Sequence, residues 1–149
     1  MKIYLAAPYS DKDSKVINKR VKIINKRAAE LINKGHIVYS PVSHCHTIAL
    51  ENSLPTDYIF WHKQNESFIQ WCNIIVIITI KGWTKSKGVS DEMEMAKKYN
   101  KKITSYIQFT SYNPLYIDNS LHDYNCLYQP TKNILLTSKN INSTEKNNC

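Results

Sequence analysis

The spacing of apolar and polar residues changes period several times along the chain. Residues 2–7 ("KIYLAA") form a short apolar run that stops at "PYSDKD", where Pro8 and a polar cluster mark a strand leaving a sheet. From about Asp13 to Lys34 the period becomes helical. Ile17, Val21, Ile24, Ala28 and Leu31 recur three and four residues apart on one face, and Gly35 stands where a helix commonly ends. "HIVYSP" (36–41) reads as a second strand.

Residues 42–57 are polar and irregular, too long for an ordinary connection, and are expected to form a lid or binding loop. A helix is expected over 58–72. "NIIVIITI" (73–80) lacks polar alternation, as a strand covered on both faces at the centre of a parallel sheet should. "SDEMEMAKKYN" then reads as a helix and "KKITSYI" (101–107) as another strand. Alternating strands and helices predict an α/β fold with a flavodoxin-like, open, mainly parallel sheet and helices on both faces.

The 149 residues, 42% of them apolar, suit one domain, placed at 1–110. Periodicity fades in the remaining 111–149, a C-terminal extension whose last ten or so residues are polar enough to be disordered. No stretch of about 18 apolar residues predicts a membrane span. The first residues read as a strand rather than a secretory signal, and the four cysteines form no CxxC pair, so a cytoplasmic protein with reduced thiols is expected. The net charge of +8 favours an anionic ligand. Its lysines are scattered and no recognition helix or aromatic-basic motif stands out, so nucleic acid is not the expected partner.

In a doubly wound sheet, ligands bind beyond the carboxyl ends of the strands where the strand order reverses. If the first strand and "NIIVIITI" are neighbours there, "PYSDKD" and "KGWTKSKGVSDE" open into one cleft. Gly88 would let backbone approach a ligand, and the N–H groups opening the next helix would favour an anion and keep Glu92 ionised. Ser86 offers a hydroxyl to a phosphate or sugar oxygen, and Trp83 a ring to pack a base or cover the sugar. Ala7, Tyr9 and Ser10 at the end of the first strand are candidate contacts from the other loop. On local pattern alone, Ser90, Asp91 and Glu92 also suit a plain helix cap.

"YLAAPYS" together with "GVSDEMEMA" resembles the nucleoside 2-deoxyribosyltransferases and the related deoxynucleoside 5′-monophosphate N-glycosidases. "GHIVYSPVSHCH", "FW" and "GWTKSKGV" are most similar to an uncharacterised phage-associated branch of that superfamily, which would put the protein in a host cytoplasm. The likeness runs from about Ile3 to Ile107. It implies that Glu92 is the nucleophile in cleavage or transfer at an N-glycosidic bond. Gly88 and Ala96 match the family's glycine and alanine, while Glu94 stands where glycine is usual. The family's assisting aspartate corresponds to Asn65, an amide that cannot protonate a leaving base but can orient a neighbour. The resemblance also implies a nucleoside or nucleotide substrate and a homo-oligomer. On the same fold, a catalytically weak protein that sequesters a nucleotide is the alternative.

"SHCH" (43–46), with His62 and Cys72, has the residue types of a zinc site but no standard zinc spacing. No metal or organic cofactor is therefore expected, and His44 and His46 are taken as substrate-loop residues or ordinary polar surface. Phe60, Trp61, Phe68 and Trp71 are read as core or subunit contacts.

Overall fold

The computed structural model describes residues 1–111. The expected extension lies outside these residues apart from Ser111, as do Cys126 and Cys149. The elements run β1 (Lys2–Ala6), α1 (Ser14–Asn33), β2 (Ile37–Tyr39), α2 (Pro41–Glu51), α3 (Tyr58–Trp71), β3 (Ile74–Ile77), a 3₁₀ turn (Trp83–Lys85), α4 (Lys87–Lys98), β4 (Lys102–Ser105) and α5 (Tyr106–Ser111). All strand pairs are parallel, in the order β2-β1-β3-β4. The expected α/β, flavodoxin-like arrangement is present with four strands.

Both central strands are buried along their whole length apart from the exposed Lys2, which is why neither shows polar alternation. Successive side chains point to opposite faces, and two cores result. On one face Ile3, Leu5, Ile74 and Val76 pack with Ile24, Ala28 and Leu31 of α1 and with Tyr106. On the other, Tyr4, Ala6, Ile75 and Ile77 pack with Ile69 of α3 and with Met95 and Ala96 of α4. Helix α1 starts at Asp13, whose carboxylate accepts the Lys15 N–H at 2.8 Å, and ends before Gly35, whose φ of 81° is the left-handed value a glycine tolerates.

Three expectations need correction. The first is the irregular loop over 42–57. Its first part is α2: Ser40 is extended and its hydroxyl accepts the Ser43 N–H at 3.3 Å, Pro41 occupies the first turn, and Val42, Cys45 and Ala49 are buried. Ser43, His44, His46 and Thr47 between those positions hide the helical stripe. The second is the start of α4, which lies at Lys87 rather than Ser90 because Ser86 is its cap. The third is the strand expected to reach Ile107, which stops at Ser105 where α5 begins. Among the described residues no helix is long and apolar enough to cross a membrane.

Candidate active site

The chain passes from β1 out to β2, then back across β1 to β3, so the strand order reverses between β1 and β3. A cleft of about 580 Å³ opens at this end of the molecule. It lies where a doubly wound sheet places its ligands. The segment after β1 contributes Ala7, Pro8, Tyr9 and Ser10, and α2 contributes Val42, Cys45 and His46. Helix α3 adds Tyr58, Trp61 and Asn65, and the β3–α4 side adds Gly82, Lys85, Ser86, Lys87, Gly88 and Glu92.

Glu92 is 5% exposed, in the second turn of α4. The Tyr4 hydroxyl, from the buried strand β1, donates to its Oε1 at 2.8 Å, while Oε2 is buried without a hydrogen-bond partner. Burial pushes the carboxyl up to about 8; the Tyr4 hydrogen bond works against this and the neighbouring Asp91 charge adds to it. The expectation that a helix start keeps Glu92 ionised is thereby corrected. With the cap at Ser86, Glu92 lies beyond the free N–H groups whose field fades within the first turn, so desolvation prevails. Tyr4 itself is held well above the usual phenol range, first by burial and then by Glu92, and remains a donor.

Asn65 is buried in α3 and its Oδ1 has no partner. Two polar atoms of the cleft wall, Glu92 Oε2 and Asn65 Oδ1, therefore stand unpaired among the described residues. Most buried polar atoms in folded proteins are hydrogen-bonded, so such exceptions call for an explanation, and a bound ligand is one.

Arg20 of α1 fastens the two loops together. Its Nη1 donates to the carbonyls of Tyr9 and Ser10 at 3.1 and 2.7 Å, and its Nη2 donates to the Lys81 carbonyl at 3.4 Å and meets Asp11 at 3.2 Å. Gly82 has a φ of 94°, and a Cβ there would lie 3.2 Å from Arg20 Nη2. Gly82, not Gly88, is thus the glycine the loop requires. Gly88 lies inside the first turn of α4, where a Cβ would make only ordinary contacts with Tyr58 and Ser86. The Ser86 Oγ accepts the Val89 N–H at 3.4 Å and keeps its own hydrogen for a ligand.

A family model described as "Domain of unknown function (DUF1937)" matches residues 1–108. The chain belongs to the DUF1937 family. No curated protein matches it. The matched span of this DUF1937 domain takes in every residue lining the cleft.

Ala7, Tyr9, Ser10, Asn65, Ser86, Gly88 and Glu92 all line the cleft of the DUF1937 domain. His44 and Trp83 do not. His44 is exposed on α2 with its ring 5.6 Å from that of Tyr39, and Trp83 packs against the core beneath α4. Their places in the lining are taken by His46, Tyr58 and Trp61. His46 shares a helix face with Val42, Cys45 and Ala49, so reading α2 as a helix would have selected it over His44. Its Nδ1 is 2.9 Å from the Tyr9 hydroxyl, with the two rings edge to face. Among the described residues no three His, Cys, Asp or Glu side chains gather as metal ligands.

Proposed function

We propose that the protein cleaves, or transfers across, the N-glycosidic bond of a nucleoside or nucleoside 5′-monophosphate. The carrying observation is Glu92: a carboxyl buried in a cleft at the strand-order reversal, one oxygen fixed by Tyr4 and the other unpartnered. The resemblance of "YLAAPYS" and "GVSDEMEMA" to the deoxyribosyltransferase superfamily supports the same reading. In its ionised form, Glu92 attacks C1′ as the base departs through an oxocarbenium-like transition state, and water or a second base resolves the glycosyl-enzyme with retention. With its pKa pushed up to about 8, Glu92 is mostly protonated at pH 7, and the reaction draws on the ionised minority. With Arg20 paired to Asp11, Lys85 and Lys87 still outnumber Asp57 as charged groups around the opening, which favours a phosphorylated substrate.

The test is release of free base from a panel of deoxy- and ribonucleosides and their 5′-monophosphates, followed by chromatography. Wild-type protein is expected to turn over at least one, and Glu92→Gln none. Near-normal turnover by Glu92→Gln would remove Glu92 from the mechanism. A second reading, a nucleotide-sequestering protein, is favoured by Asn65, where an amide occupies the position of the superfamily's assisting aspartate. Stoichiometric binding by calorimetry without any turnover would select it.

A further inference from the structure

Breaking an N-glycosidic bond requires more than an attack at C1′. The electron pair of the bond goes to the base, and a neutral purine or pyrimidine leaves readily only if it receives a proton. Asn65 cannot supply one. Among the other groups lining the cleft, Asp57 is exposed and its Oδ1 accepts the Phe60 N–H at 3.0 Å as the cap of α3. Tyr9 and Cys45 are both pushed above their usual ranges by burial, so each holds its proton more tightly than usual. Lys85 and Lys87 are exposed at the rim beside α4, on the same side as Glu92.

His46 differs from all of these. It comes from α2, which follows β2, whereas Glu92 comes from α4, which follows β3; the two helices flank the β1/β3 crevice from either side. The hydrogen bond between Nδ1 and the Tyr9 hydroxyl fixes the ring, and among the described residues Nε2 has no partner. The phenol oxygen can accept from Nδ1–H both in the imidazolium and in the neutral ring left once Nε2 has given up its proton, so Nε2 is free to lose a proton and take one back. Imidazole is also the side chain that exchanges a proton near neutral pH.

Resting on the glycosidic-bond reading, we infer that His46 is the general acid and base of the reaction, oriented by Tyr9 and acting through Nε2. In the first step the Glu92 carboxylate forms a bond to C1′, the C1′–N bond breaks with its electron pair on the base, and the Nε2 proton of the His46 imidazolium passes to that base. In the second step water attacks C1′ as the C1′–O bond to Glu92 breaks with its electron pair returning to the carboxylate, and neutral His46 takes a proton from that water at Nε2. The sugar leaves with a hydroxyl, and the carboxylate and imidazolium are regenerated.

The test compares natural substrates with one whose leaving group needs no proton. Wild type and His46→Gln are assayed on the 5′-monophosphates of the deoxy- and ribonucleosides, and on the p-nitrophenyl glycoside of the same sugar phosphate. His46→Gln should lose a factor of about 10² to 10⁴ in kcat/KM on the nucleotides. Its loss on the nitrophenyl glycoside should stay within a few-fold, and that retained activity shows the variant is folded. No loss on either substrate overturns the inference. If His46→Gln loses both equally, Tyr9→Phe decides, because it keeps the ring edge and deletes only the hydrogen bond: a loss confined to the nucleotides supports the role, and an even loss overturns it. A wild type that cleaves neither class refutes the glycosidic-bond reading itself, a result independent of any variant.

Discussion

Replacing Glu92 by glutamine should change stability with pH in a direction opposite to that of most carboxylates. A usual carboxyl ionises near 4.5, and Glu92 in the folded protein ionises near 8. Between those values the unfolded chain has lost a proton that the folded protein still holds, so the wild type loses stability as pH rises from about 4.5 and levels off above about 8. At about 1.4 kcal/mol for each pH unit across that interval, the full effect is about 5 kcal/mol, an order-of-magnitude figure. Glutamine does not titrate and escapes this loss. It does place an N–H₂ group where Oε2 has no partner, at a constant cost of about 1–3 kcal/mol. The informative quantity is therefore the change with pH. Urea denaturation of both proteins at fixed ionic strength should show Glu92→Gln gaining about 4 kcal/mol on the wild type between pH 5 and pH 9. A difference that stays flat with pH, or that turns against the variant at pH 9, would refute the assignment of a buried, neutral carboxyl.

Two further outcomes follow from the same site. Adding Asn65→Asp to His46→Gln should restore nucleotide cleavage by at least about tenfold, because a carboxyl at that position can protonate the base; no recovery in initial rates would show that Asn65 does not face the leaving group. Ser86→Ala should lower thermal stability by about 1 kcal/mol through loss of the α4 cap. It should also weaken binding of a nucleoside monophosphate by about 0.5–3 kcal/mol in calorimetry, while the unphosphorylated nucleoside is little affected; equal losses for the two ligands would move Ser86 away from the phosphate.

The parts of the fold that were legible in the sequence are those governed by burial on both faces. The runs Ile3–Ala6 and Ile74–Ile77 are buried throughout; the lack of alternation in 73–80 predicts a central strand, whereas its pairing with β1 was a condition that only the sheet register supplies. Helix α2 was hidden because its buried stripe consists of Val42, Cys45 and Ala49 among a serine, two histidines and a threonine, and its cap lies in the preceding strand segment. Without that helix, His44 and His46 read as equivalent loop residues, although only His46 lines the cleft. The charge state of Glu92 was not legible either. A local rule about helix starts predicts an anion, while the desolvation that prevails comes from tertiary burial and outweighs even the opposing hydrogen bond from Tyr4, 88 residues away.

Arg20 has a consequence for the kinetics and entropy of binding. Its guanidinium grips carbonyls from the loop after β1 and from the loop after β3, which the sheet ladder does not itself hold. Freezing a flexible loop around a ligand costs entropy at the moment of association. Here the two loops are already tied across the opening by a residue of α1, so this ordering takes place when the chain folds. A ligand then meets a preformed wall, and its affinity is left to the contacts it makes there.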